Sequence, residues 1–344
     1  MPSSFPASTS RCVRARSSRL GAGSPGFELD LADLRALYAS IRNESDNTSV
    51  YVRGTWDFDN GMQAWASVNF WDSEAISSSG TEFYGNTLDP FTGYFYEPTL
   101  GTIVQLQRIF TPAEYGDLEA VSTQFDEKAT EVAFGLTGTL ADNRFDWDFT
   151  VAQSTYDYRA DRPRFLAQRI SSYFLTEVPG EVDPFFGAYP VYNLDLDRWH
   201  TPLTPAQYAE MSTRVVNEGD SKAQTANFVL SGDLFELPAG PMGFAAVLEW
   251  GHQEYDLNAD PRILPGNPLG PTTILNLTGT GGGGERDRYA VGLELAAPLH
   301  DSLTATLAAR YDKYDDITNV DDAVTYMGGL EWRPLDSLLV RGSY

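Results

Sequence analysis

Three histidines, His200, His252 and His300, are the residues from which acid–base or metal chemistry would have to start in this 344-residue chain. A zinc site needs Cys, His or carboxylate ligands at close spacing, and none of the three histidines sits in such a pattern, so no metal ligand set is expected. A Ser-His-Asp relay cannot be argued from isolated histidines either, and no catalytic residue is expected. The run GTGGGG at 279–284 lacks the Lys and Ser/Thr of a phosphate-binding loop and reads as a flexible linker. The acidic runs YDKYDDITNVDD and DLNAD carry carboxylates that could take calcium. Without the spacing of an EF-hand loop they read as solvated rim charge. The chain is therefore not read as an enzyme, and no cofactor is expected.

Binding chemistry is better represented. The segment FYGNTLDPFTGYFYEP, residues 83–98, gathers Phe83, Tyr84, Phe91, Tyr94, Phe95 and Tyr96 among Gly and Pro, a composition suited to stacking on sugars or flat chelates. Rings in such a loop also pack the loop upon itself, and composition leaves the two readings open.

The elements that must position these residues are strands. In GLTGTLADNRFDWDFTVAQ, residues 135–153, Phe145, Trp147, Phe149 and Val151 alternate with Asp146, Asp148 and Thr150, which puts an apolar face opposite a polar one. The pattern recurs in five hairpins, giving ten strands. DNG at 59–61 turns the first hairpin and residues 141–144 turn the second. PAGP turns the third, and PLHDSL and RPLDSL turn the last two, where Pro is expected to stop a strand and Asp with Ser to close the turn. Alternation places Phe149, Leu230, Leu248 and Leu307 on the apolar side. It places Arg53, Asp148, Ser231, Glu249, Arg310, Asp312 and Arg341 on the other, expected to face a lumen.

The connections separate a membrane barrel from a sandwich. Turns inside hairpins are short, whereas the links at about 70–130, 160–222 and 257–285 are far longer than the roughly 4–6 residues usual in compact domains. Long loops on one rim and short turns on the other mark an outer-membrane barrel. Several runs exceed the roughly 9–11 residues that cross a bilayer at a tilt. Aromatics collect beside the short turns, at Trp56, Phe58, Phe145, Trp147 and Trp332, as in an interfacial girdle. Aromatics make up 13% of the chain, and Cys12 is the only cysteine, so no internal disulfide forms. With 48 acidic against 24 basic residues the net charge is −24, which repels phosphate backbones and argues against nucleic acid as a partner. No run of about 20 apolar residues exists to form a spanning helix. The basic, Ser-rich residues 1–26 lack the apolar centre of a secretory signal, and residues 1–47 are expected to lie outside the barrel, which occupies 48–344.

AAPLHDSLTATLAARYDKYDDI followed by GGLEWRPLDSLLVRGSY resembles the barrel of TonB-dependent outer-membrane receptors, where a strand ending W-R-P turns into one ending R-G-S-Y. The resemblance is specific over residues 286–344 and rests on hairpin rhythm from 48 to 285. It implies an all-β, antiparallel up-and-down transmembrane β-barrel in the outer membrane of a Gram-negative bacterium, surrounded by outer-membrane lipid. It also implies energy-coupled import of a siderophore, oligosaccharide or similar bulky nutrient, with the TonB energy-coupling complex acting through a plug domain. Family barrels have 22 strands and a plugged lumen. Here no coupling box, no plug before residue 48 and no closing strand are found, so an incomplete barrel is expected. A small self-contained pore would need the first and last strands to pair. A membrane hydrolase would need a clustered nucleophile and base.

Overall fold

The computed structural model describes residues 44–78, 83–85, 93–266 and 273–344. The strands are β1 (Glu44–Asp57), β2 (Gln63–Ser77), β3 (Phe83–Gly85), β4 (Phe95–Glu97), β5 (Thr102–Val104), β6 (Gln107–Ile109), β7 (Thr123–Leu140) and β8 (Phe145–Phe165). They continue with β9 (Leu175–Val182), β10 (Pro190–Leu194), β11 (Ser212–Leu237), β12 (Gly240–Asn258), β13 (Gly282–His300), β14 (Leu303–Asp315), β15 (Asp322–Leu335) and β16 (Leu338–Ser343). Ten of these form one antiparallel sheet in the order β1-β2-β7-β8-β11-β12-β13-β14-β15-β16. Each neighbour along this wall is also the next long strand in the chain, the up-and-down arrangement expected from five hairpins.

Register makes the two faces explicit. Trp56, Ala64, Leu136, Phe149, Phe228, Leu248, Val291, Tyr311 and Val324 lie side by side in one row across nine strands. One residue along, Thr55, Trp65, Gly135, Thr150, Asn227, Glu249, Ala290, Asp312 and Ala323 form the matching row on the opposite face. Much of the apolar row is not covered by protein: Leu248 is 55% and Val324 66% exposed. In water that face would be unstable; against lipid tails it is the stable arrangement. No helix among the described residues is long and apolar enough to cross a membrane.

Local chemistry explains the turns. Ala141, Asp142 and Asn143 all take positive φ, at 54°, 56° and 67°, and close the β7–β8 hairpin, with Arg144 N donating to Leu140 O at 3.1 Å. Asp and Asn tolerate this region better than other side chains. The prolines behave differently from the expectation. Pro298 lies inside β13 and Pro334 inside β15, and the register shifts between Pro298 and His300 and between Trp332 and Leu335. A bulge absorbs the missing N–H donor, so the strand continues past the proline to the turn.

The strands outrun the alternating pattern. β8 has 21 residues and β11 has 26, pairing from Gly232↔Phe145 to Ser212↔Phe165. β1 likewise starts at Glu44, before the expected boundary at residue 48. These extensions mix polar residues with a few buried apolar ones such as Phe165 and Val215, and so carry no regular period in hydrophobicity.

The long connections, expected as loops, fold into a cap. β5-β4-β10-β9 form a four-stranded sheet and β3 pairs with β6. The helices Ala167–Phe174 and Pro205–Met211 complete it. The second helix starts in a capping box between Thr204 and Gln207. Its core contains Tyr84, Phe95, Phe110, Phe165, Phe174 and Tyr208, drawn from segments far apart in sequence.

Candidate functional site

On the polar face of the wall the register brings three of the expected lumen residues together. Arg310 Nε donates to Asp312 Oδ2 at 2.9 Å, its Nη2 donates to Asp312 Oδ1 at 3.0 Å, and the same Nη2 also bonds Glu249. Arg288, not singled out from the sequence, joins them, donating to Glu249 Oε2 at 3.0 Å. Two carboxylates and two guanidiniums from β12, β13 and β14 thus form one charge-balanced network that fixes each side chain in place. Arg288 sits at an inward parity position, so alternation applied strictly to β13 would have found it.

Arg53 and Arg341 lie on the same face but apart from this network. Arg341 Nε pairs with Glu331 at 3.0 Å. The Arg53 guanidinium stacks 4.1 Å from the centre of the Trp65 ring, and Trp65 lies flat across Gly135. A Cβ at Gly135 would come within 2.3 Å of the indole, so only glycine provides the floor on which this cation–π pair rests.

The aromatic segment divides. Tyr84 and Phe95 are both 0% exposed, belong to the cap core and are unavailable to a ligand. Tyr84 packs its ring 5.7 Å from Phe174, and burial pushes its phenol up to about 12. Phe83 and Tyr94 are exposed and Tyr96 is half-buried. Phe91 lies outside the described residues.

Tyr94 and Tyr96 are the ends of an open chain of rings. Tyr96 meets Phe185 edge-on at 5.9 Å, Phe185 meets Phe186 at 6.5 Å, Phe186 meets Tyr189 at 6.3 Å and Tyr189 meets Tyr94 at 6.3 Å. Phe186 is 74% exposed. The turn that carries the phenylalanines is organised by one carboxylate: Asp183 accepts from the backbone N–H of Phe185, Phe186, Ala188 and Tyr189, at 2.9, 2.6, 2.8 and 2.8 Å. Burial would raise the Asp183 pKa, but these four donors outweigh it and hold the carboxyl down at about 2. The sequence signal was present in DPFFGAY, residues 183–189, which has the Pro- and Gly-bounded aromatic composition of residues 83–98.

An ion pair against the aromatic core braces the cap, with Arg108 lying over the Phe110, Phe174 and Trp199 rings. Arg108 and Glu114 meet at 2.5 Å with Glu114 almost wholly buried. Arg108 also donates to Trp199 O at 3.1 Å, and Glu114 accepts from Leu203 N at 3.0 Å. Both links cross between different long connections, so they tie the cap segments to one another.

Among the described residues, His200 and His300 belong to no cluster of ligating groups. His252 departs from expectation, since Glu254 and Glu285 converge on it with one ligand atom each, all within 4.8 Å of one another. Strand alternation and cross-strand register create this cluster, which no spacing along a single segment displays.

A family model described as TonB dependent receptor-like, beta-barrel matches residues 70–344. No curated protein matches the chain. Among solved structures, the FpvAI–pyocin S2 complex aligns with 10% identity and a TM-score of 0.48, over 88% of this chain and 36% of that one. The siderophore receptor PiuA from Acinetobacter baumannii aligns with 12% identity and a TM-score of 0.48, over 90% and 43%. FpvA of P. aeruginosa bound to heterologous pyoverdines aligns with 10% identity and a TM-score of 0.48, over 88% and 35%. The chain therefore spans between about a third and two-fifths of the length of these solved chains. The family match runs from the second strand of the wall to its last residue, and the protein belongs to the TonB-dependent receptor-like β-barrel family.

Proposed function

We propose that the chain forms part of the wall and the ligand-capturing cap of an outer-membrane receptor that imports a bulky nutrient by energy-coupled transport. In this reading the apolar face meets outer-membrane lipid. The face carrying Arg53, Glu249, Arg310, Asp312 and Arg341 lines the lumen, and the cap stands on the extracellular rim. The observation that carries the proposal is the open chain of rings from Tyr94 through Tyr189, Phe186 and Phe185 to Tyr96. A soluble protein would fold such rings inward, as the cap does with Phe174. Rings left outward on a braced turn suit a ligand with flat or ring-shaped groups, such as an aromatic chelate or an oligosaccharide. Phe83 and Tyr94 would contribute at the margin. Energy coupling would come from the TonB complex through a plug domain.

The test is growth of cells that depend on this receptor, supplied with ferric chelates in one series and oligosaccharides in another. Replacing Phe185 and Phe186 together by Ala should lower uptake at least tenfold while the barrel remains in the outer membrane. Uptake should also stop when the proton gradient is dissipated. Unchanged uptake in the double variant would remove the rings from ligand capture, and gradient-independent uptake would point to a passive pore.

A further inference from the structure

The four side chains at the loop-side end of β12 and β13 form a rectangle on the apolar, outward parity of the sheet. His252 is the register partner of Asp287, and Glu254 that of Glu285, while Trp250 and Tyr289 are the pair immediately below. Aromatic residues in that position mark the boundary of the lipid tails, so the rectangle stands just beyond it, at headgroup level. The sheet fixes all four backbones, and neighbouring strands separate the side chains by about 5 Å.

The imidazole has two distinct partners. Its Nδ1 lies 3.0 Å from Asp287 Oδ1, and its Nε2 lies 3.5 Å from Glu254 Oε2. An Nδ1–H donated to Asp287 leaves the Nε2 lone pair directed at the gap that Glu254 and Glu285 also enter. Glu254 Oε1 is held by Lys222 Nζ at 3.2 Å, which turns Oε2 toward the ring. Three carboxylates face one ammonium, so the cluster carries excess negative charge that a dication would neutralise.

We propose that His252 Nε2, Glu254 and Glu285 bind a divalent transition ion, with Asp287 as the positioning residue that holds the ring in the required tautomer. A histidine whose far nitrogen donates to a carboxylate while its near nitrogen faces further carboxylates is the arrangement used to orient metal-bound imidazoles. One imidazole nitrogen with carboxylate oxygens suits Zn²⁺ or Co²⁺; Ca²⁺ and Mg²⁺ are served by oxygen alone and gain nothing from the ring. An ion there would clamp β12 to β13 at the edge of the membrane. The ligand atoms lie within 4.8 Å of one another and need to close by about 1.5 Å at most, which long Glu side chains permit.

Zn²⁺ titration of the full chain in detergent micelles, by calorimetry, with Co²⁺ absorption as a second readout, tests this. One saturable ion per chain is expected. His252→Gln and, separately, Glu285→Gln should each weaken binding at least tenfold and abolish the Co²⁺ ligand-field bands. Asp287→Asn should weaken binding about tenfold while preserving the bands, the size expected for an outer partner of a ligating histidine. His300→Gln should change nothing. Zn²⁺ binding that survives His252→Gln, Ca²⁺ binding of equal strength and equal indifference to His252, or no saturable binding at millimolar Zn²⁺ would each overturn the site.

Discussion

Phe174 in the cap is wholly covered by protein, whereas Leu248 in the wall leaves 55% of its surface bare, although each is a large apolar residue on a regular element. The difference lies in the surroundings each region is built for. The cap closes Tyr84, Phe95, Phe110, Phe165, Phe174 and Tyr208 around its own interior, as a domain in water does. The wall turns every second residue outward, and its stability assumes a hydrocarbon medium on that side. Stability in the cap therefore depends on packing, and in the proposed function stability in the wall depends on lipid, so substitutions should separate the two.

The largest effect is expected in the cap. Phe174→Ala removes a ring packed against Tyr84 and Trp199, and should cost about 3–5 kcal/mol of cap stability. Limited proteolysis should then cut within residues 166–211 while the wall stays resistant. If the wall opened equally, cap and wall would be one cooperative unit.

In the wall, Leu248→Arg should cost about 2–4 kcal/mol near the bilayer centre. Urea unfolding in lipid vesicles measures it, and a variant as stable as the parent would place Leu248 outside the tails. A smaller effect follows on the polar face: Gly135→Ala forces Trp65 off its floor and should cost about 1–3 kcal/mol in strain. Loss of the near-ultraviolet dichroism of Trp65, with cap proteolysis unchanged, is the expected readout.

The gentlest perturbation is acid. Because Asp183 is held at about 2 against an ordinary value of 3.8, its contribution to the turn is complete above pH 3.8 and is lost as pH falls through about 2. Pepsin cleavage at 183–189 should rise across that window, and Asp183→Asn should abolish the dependence. A turn equally cleavable throughout would mean that the carboxylate does not organise it.

Alternation made the wall legible, because one face of each strand is apolar and the other polar. It identified Glu249, Arg310 and Asp312 by parity alone. It was silent for residues 160–165 of β8 and 212–222 of β11, where polar and apolar residues follow no period of two. The cap was unreadable for a different reason. Tyr84 meets Phe174 only after segments 90 residues apart have folded together, so composition could not separate the buried Tyr84 and Phe95 from the exposed Tyr94. His252 was hidden similarly, since two of its partners come from the neighbouring strand.

The most direct measurement is paired cysteine labelling in the membrane-inserted protein after Cys12→Ser has removed the native thiol. Leu248→Cys and Ser231→Cys lie on opposite faces of adjoining strands within the same band of the wall. A lipid-dissolved nitroxide should quench a fluorophore at the first position and a water-soluble maleimide should react at the second, each with little effect at the other. Equal reaction of both with the water-soluble reagent would contradict a wall with one face in lipid.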